Sequence, residues 1–259
     1  MLTIVIPMAG RGSRFADAGY ELPKPLLPIH GVPMIETVVR NLSPSEPARF
    51  VFICRREHLA GYGFEAGLRR AAPGCQIVPI DEVTEGAACT VLLAEHAIDP
   101  DDVLVIANSD QWVDHAMDAH LALLRRDGLD GLDGLIMTMT ADDPKWSFVE
   151  LDATRRVTNV VEKEVVSDEA TVGIYTFARG GDFLRAARTM IAADKRVNGE
   201  FYVAPAYNEL IAEGAVIGID NIGAEGDGMY GLGIPADYEA FLALDVSRRA
   251  AGGTGRVAA

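Results

Sequence analysis

Apolar positions along the chain follow two regimes. Up to about residue 108, short β-branched runs alternate with stretches of helical period. TIVIPM (3–8), RFVFIC (49–54), QIVPI (76–80) and DVLVIAN (102–108) read as strands. They are near-continuous apolar runs rather than alternations, the pattern of parallel strands covered on both faces. PMIETVVRNL (33–42), residues 57–71 and EGAACTVLLAEHA (85–97) read as helices, the first opened by Pro33. Strand–helix–strand units of this length imply right-handed crossovers, so this half predicts a doubly wound sheet.

Further along, the pattern changes. GLIMTMT (134–140), SFVELD (147–152), RVTNVVEKE (156–164) and ATVGIYTF (170–177) follow one another with few helices between them. Mixed or antiparallel pairing is expected there. Helices near 180–193 and 203–213, a strand at 215–222 and a last helix from Pro235 complete the reading. One α/β domain is expected over 1–245, divided into halves 1–112 and 113–245. The small-residue, Gly-rich end, 246–259, is expected to be a disordered tail.

Composition narrows the partners. The chain has 259 residues, 49% of them hydrophobic, enough for a sizeable core. Its formal net charge of −15 argues against nucleic acid and anionic membranes, which need a basic surface. No apolar run approaches the roughly 20 residues of a membrane span. MLTIVIPMAG lacks the basic start of a secretory signal, so a cytoplasmic protein is expected. Cys54, Cys75 and Cys89 show no CxxC pairing and read as small buried thiols in a reducing compartment. An anionic substrate is compatible with such a chain only where positive charge is concentrated locally.

That concentration is found in MAGRGSRFADAGYELPKPLLPI, residues 8–29, just past the first strand. Ligands of open parallel sheets bind beyond the carboxyl ends of the strands. Gly10 and Gly12 allow a tight turn around an anion. Arg11 and Arg14 offer forked donors matched to phosphate. Lys24 is held between Pro23 and Pro25, which restrict its backbone. The spacing is neither the dinucleotide GxGxxG nor a Walker A loop, since no GK[ST] follows.

The segment resembles the opening signature, AGGxGxR…PKxLLPI, of the sugar-phosphate nucleotidylyltransferases, a family with a GT-A-like, Rossmann-type fold. The resemblance extends over roughly residues 1–244. It implies that 1–112 binds an NTP and 113–245 the acceptor. Met8, Ala9, Gly10, Arg11, Gly12, Ser13 and Arg14 would then hold the triphosphate, and Lys24 the reacting phosphate. Arg11 departs from the family's second adjacent glycine. TEGAACTVLLA (84–94) is similar to the family's base-binding turn, assigning Glu85, Gly86 and Ala87 to the nucleobase; ordinary helix–sheet packing by small residues is the alternative. In ANSDQ (107–111) the resemblance makes Asp110 the ligand of Mg²⁺, or of Mn²⁺, beside Asn108 and Ser109; a helix cap is its alternative. Asn108 replaces the family's glycine. His115 and His120, five residues apart, point to different helix faces and read as a solvated surface rather than metal ligands.

WSFVELD (146–152) and VVEKE (160–164) resemble the family's YGVVExD and EKP elements, placing Trp146, Ser147, Glu162 and Lys163 at the acceptor; alone, such a Glu-Lys pair is a surface pair. Glu164 stands where the family has proline. Gly173, Glu200 and Tyr202 join the acceptor set by similarity to nucleotidyltransferases of capsule and surface-polysaccharide synthesis. GMYGLGIPADYEAFL (228–242) resembles the closing DxGTPEDY element, but Gly231 occupies the position of its second metal-binding aspartate, and Asp237 is expected to cap or face the last helix. The implied reaction is NMP transfer from an NTP (CTP, or dTTP or UTP) to a small phosphorylated acceptor, with pyrophosphate leaving. Arg14, Lys24, Asp110 and Lys163 would carry it, and a homodimer is common in such families. Three other readings stay open: a cytidylyltransferase acting on a phosphorylated glutamine, a GT-A glycosyltransferase, and a nucleotide-binding regulatory subunit. The single acid in NSDQ counts against the DxD motif of the glycosyltransferases.

Overall fold

The computed structural model describes residues 1–10, 12–126 and 131–252. In chain order the elements are β1 (Leu2–Met8), α1 (Ser13–Asp17), β2 (Pro28–Ile29), β3 (Val32–Pro33), α2 (Met34–Leu42), β4 (Ala48–Arg55), α3 (Arg56–Ala60), α4 (Phe64–Ala71), β5 (Gln76–Ile80), α5 (Ala87–Leu92), β6 (Val103–Ala107) and β7 (Gln111–Val113). There follow α6 (Met117–Arg126), β8 (Gly134–Thr140), β9 (Ser147–Leu151), β10 (Val157–Glu162), β11 (Glu169–Phe177), α7 (Gly180–Ala192), α8 (Ala206–Ala212), β12 (Ile217–Glu225), β13 (Gly228–Gly231), α9 (Pro235–Leu242) and α10 (Asp245–Ala250).

One 11-stranded sheet runs through both halves, in the order β5, β4, β1, β6, β11, β8, β12, β13, β7, with β9 joining β10 and β11. The first four strands are parallel. β11 then enters antiparallel between β6 and β8, and β12 returns parallel to β8. The protein is thus mixed α/β, with a parallel half and a mixed half, as the hydrophobic pattern predicts. Ile4, Val5 and Ile6 are all fully buried. Ile4 and Ile6 enter one apolar layer and Val5 the other. Burial on both faces explains why β1 shows no alternation.

Four expectations are corrected. QIVPI is an edge strand, its Gln76 and Pro79 exposed; an edge tolerates a residue without an N–H. The helix expected over 57–71 is two, α3 and α4, divided around Gly61–Gly63, where Gly63 takes a left-handed φ of 63°. His120 is not solvated but completely buried. Its Nδ1 lies 2.7 Å from Asp220 Oδ2 and its Nε2 3.0 Å from Thr176 Oγ1. A polar partner a hundred residues away, on β12, is what permits that burial. The expected tail begins instead as α10, which buries Val246, Ser247 and Ala250; residues 253–259 lie outside the described residues. Among the described residues, no helix is long and apolar enough to cross a membrane.

Candidate active site

Chain order reverses beside β1: β4 and β5 lie on one side of it, β6 on the other. The crevice beyond the carboxyl ends of β1 and β6 is therefore the switch point where such sheets bind ligands. From β1 the chain enters the glycine loop, where Gly12 is left-handed (φ 62°) and α1 begins. Phe15 anchors that short helix. Fully buried, it meets Tyr20 and Tyr238 edge-on, with ring centroids 5.2 Å and 5.9 Å away. Its neighbours Ser13 and Arg14 are left at the surface. Arg14 has no ion-pair partner among the described residues, although the chain is strongly acidic. Arg11 lies outside the described residues.

Lys24 starts a 3-10 turn behind Pro23, and its Nζ lies 2.6 Å from Asp110 Oδ2, both groups partly exposed. Asp110 sits between the end of β6 and the start of β7. Its carbonyl accepts a hydrogen bond from Leu232 N at 2.8 Å. A cavity of about 730 Å³ is lined by Ala9, Gly10, Gly12, Ser13, Arg14, Lys24, Glu85, Gly86, Ala87 and Asp110. The glycine loop, the Pro-Lys-Pro turn, the Gly-Ala-Ala turn and the strand-end acid thus share one wall-to-wall space. Met8, Asn108 and Ser109 line an adjoining cavity of about 580 Å³ with Lys24 and Asp110. There Tyr62 and His58 join them, and burial holds the His58 imidazole below its usual pKa despite the Glu57 carboxylate.

Gly86 is a backbone necessity. Its φ is 135°, and a Cβ there would fall 2.4 Å from the Phe201 carbonyl oxygen. The close approach lets Phe201 N donate to Glu85 O (2.8 Å) and Ala88 N donate to Phe201 O (3.0 Å). Glu85 itself pairs with Arg196 at 3.0 Å. Glu200, expected at the acceptor, lines the 730 Å³ cavity with Glu85, because the turn before Phe201 is stitched to the Gly86 turn.

A second cavity, of about 720 Å³, is lined by Trp146, Ser147, Glu162, Lys163, Gly173 and Tyr202. Arg14, Ala87, Asp110 and Gly233 border both this space and the 730 Å³ one. Glu162 is nearly buried and accepts a short hydrogen bond from the Ser147 hydroxyl. Lys163 adopts a left-handed φ of 63°, rare for a residue with a side chain. Its Nζ donates to the Lys145 carbonyl at 2.5 Å, lies 3.4 Å from Glu162 Oε1 and stands over the Tyr202 ring at 5.7 Å. Gly173, with φ 79°, accepts from Asn108 N (2.9 Å) and Gln111 Nε2 (3.1 Å), joining β11 to the strand-end loop.

Sequence reasoning missed Gln111, Lys145, Thr171, Tyr175 and Asp237 in this cavity. Burial pushes the Tyr175 phenol well up, and the Glu162 charge adds to it. Burial also raises the Asp237 carboxyl, opposed by Lys145 and reinforced by Glu225. Only Lys145 had a local signal, its place beside Trp146. The others depend on how distant strands and α9 cross.

The arrangement is one cleft of two compartments with a Lys–Asp pair and a free guanidinium at their junction. Residues 4–203 match the family model described as nucleotidyl transferase. The chain belongs to the nucleotidyl transferase family. It is 29% identical over 206 residues to the bifunctional protein GlmU of Thermotoga sp. (strain RQ2), a match covering 77% of this chain and 42% of that protein. With GlmU of Burkholderia multivorans it shares 31% over 176 residues, 66% of this chain and 36% of that one. The chain thus spans less than half the length of these curated relatives. Among solved structures it is similar to the nucleoside-diphosphate-sugar pyrophosphorylase from Vibrio cholerae RC9: 29% identity, TM-score 0.77, covering 93% of this chain and 100% of that one. The inositol-1-phosphate CTP transferase from T. maritima shares the fold at 13% identity, TM-score 0.70, over 99% and 98% of the two chains. The two-compartment cleft is therefore seen in a chain whose family membership rests on independent ground.

Proposed function

We propose that this protein transfers a nucleoside monophosphate from an NTP to a sugar phosphate or similar small phosphorylated acceptor, releasing pyrophosphate. One observation carries the reading: two cavities of substrate size meet at Arg14 and Asp110, with Lys24 on the Asp110 carboxylate. Similarity to a nucleoside-diphosphate-sugar pyrophosphorylase supports it. CTP, dTTP or UTP is the expected donor class, and precursor synthesis for a surface polysaccharide the expected setting.

In this reading the NTP occupies the 730 Å³ cavity with its base near the Gly86 turn and its phosphates along Gly10–Arg14. The acceptor occupies the 720 Å³ cavity, gripped by Lys163, Trp146 and Glu162. An acceptor phosphate oxygen attacks the α-phosphorus in line; the new P–O bond forms as the bond to the pyrophosphate oxygen breaks. Two anions must meet, so catalysis consists of positioning and charge neutralisation. Lys24 stabilises charge at the α-phosphate and Arg14 holds the departing phosphates. Asp110 fits a magnesium ligand: it is a partly exposed carboxylate bordering both cavities, where it would repel phosphates unless a cation intervened. Bound Mg²⁺ would supply Lewis-acid stabilisation of the leaving group.

The test is a coupled pyrophosphate assay with four NTPs crossed with a panel of phosphorylated sugars, polyols and amino acids. Pyrophosphate release with one NTP and a defined acceptor is expected. Consumption of a nucleotide-sugar without pyrophosphate release would point to glycosyl transfer, and NTP binding without any turnover to a regulatory subunit.

A further inference from the structure

The end of β13 and the bend that follows it lie beside two acidic side chains. Gly231 ends β13 and Gly233 follows two residues on, while Leu232 between them is fully buried. Gly233 lies in a bend past the strand, and both glycines line the 720 Å³ cavity. Neither can furnish a side chain there, and in each case an aspartate from elsewhere fills the space. The atoms nearest to a Cβ built on Gly231 are all from Asp237, its Oδ2 at 3.4 Å. The atom nearest to one built on Gly233 is Asp110 Oδ2, at 3.0 Å. Asp110 and Asp237 therefore lie over two glycines only two residues apart, and both line the 720 Å³ cavity.

Asp237 is positioned by its neighbour. Tyr238 packs against Phe15 and Tyr20 and donates its hydroxyl to the Pro28 carbonyl at 2.7 Å, which fixes the rotation of α9. The residue before it is thereby turned to the cleft. Asp237 makes no hydrogen bond or ion pair among the described residues. The nearby cation Lys145 gives its ion pairs to Glu225 (2.8 Å) and Asp143 (3.7 Å), and α9 has no side-chain cap. An unpaired carboxylate facing a space that must admit phosphates is repulsive unless a cation lies between. Mg²⁺ is held through one or two carboxylates together with substrate phosphates.

We propose that Asp237, reaching across the bare Gly231, is the second protein carboxylate of the divalent-cation site begun by Asp110. The inference rests on reading the cleft as the site of nucleotidyl transfer. It also states that Gly231 and Asp237 are alternatives: with glycine at 231, the carboxylate arrives from the helix instead of the strand.

Mn²⁺ alone serves as the probe, titrated by electron paramagnetic resonance into the whole chain and its variants, with thermal melting as a fold check. Asp237→Asn is expected to weaken Mn²⁺ binding tenfold or more, as Asp110→Asn does. Gly231→Asp on an Asp237→Ala background is expected to recover most of the affinity, since only Asp237 crowds that position. An Asp237→Asn protein that holds Mn²⁺ as tightly as the native chain, or a double variant that gains nothing over Asp237→Ala, overturns the proposal. Pyrophosphate release by the native chain is scored separately. Its absence with every NTP defeats the nucleotidyl-transfer reading, whereas a loss of Mn²⁺ in Asp110→Asn alone defeats only the assignment of Asp237.

Discussion

Lys24 and Gly86 exert their effects through opposite means, one by charge and one by having no side chain. The Lys24 ammonium lies 2.6 Å from Asp110 at the junction of the two cavities, at the side of the sheet rather than inside its core. Lys24→Ala should therefore lower the pyrophosphate-release rate about 100- to 1,000-fold, the usual cost of losing one donor to developing charge, and leave the melting temperature within a few degrees of native. Near-native turnover would remove Lys24 from the mechanism. For Gly86 both readouts should move. Alanine there meets the Phe201 carbonyl at 2.4 Å with φ at 135°, and strain of that kind with overpacking costs about 3 kcal/mol. A lower urea midpoint together with a raised KM for the NTP is expected of Gly86→Ala; unchanged stability would contradict the contact. Both residues were legible in the sequence because their signals are local, a lysine between prolines and a glycine opening a helix. Asp237 was not, since its place in the cavity is set by Tyr238 packing on Phe15, more than two hundred residues earlier.

Elements show the same division between local and distant causes. The parallel strands were read from continuous apolar runs, and the glycine loop from its place after the first of them. The burial of His120 escaped because its partners lie on β11 and β12. Asp220 there receives His120 at 2.7 Å and His115 at 3.1 Å, tying α6 and the segment before it to the sheet. Burial by itself would raise the Asp220 carboxyl; the hydrogen bond and charge of His120, then those of His115, outweigh it, and the pKa is held below its ordinary value. A carboxyl depressed in the folded state contributes stability above its unfolded value, about 3.9. That contribution is lost as pH falls from there through the lower folded value. Asp220→Asn should thus cost about 2 kcal/mol at pH 7, as expected for hydrogen bonds to a charged group. The gap to the native chain should persist to about pH 4 and narrow below it. Urea midpoints at pH 7, 5, 4 and 3 measure this, and a gap as wide at pH 3 as at pH 7 would contradict the pairing.

At the scale of the whole molecule, the formal charge of −15 and an anionic substrate are reconciled by distance. In the proposed reaction the far field would repel a nucleotide, while Arg14 and Lys24 would meet it within hydrogen-bond reach. Salt separates the two contributions. The Debye length is about 10 Å at 0.1 M, so added salt removes the long-range repulsion while screening contacts inside the cleft much less. A protein that holds phosphates with a broad basic surface loses affinity by orders of magnitude over such a range. Here the KM for the NTP should change by less than about threefold between roughly 20 and 200 mM NaCl at fixed free Mg²⁺, because the repulsion relieved and the attraction weakened oppose each other. Steady-state kinetics across that series would decide it. A KM rising tenfold or more would mean that a wider cationic field than Arg14 and Lys24 provide steers the nucleotide, and that the placement of charge at one sheet edge is not what brings the two reactants together.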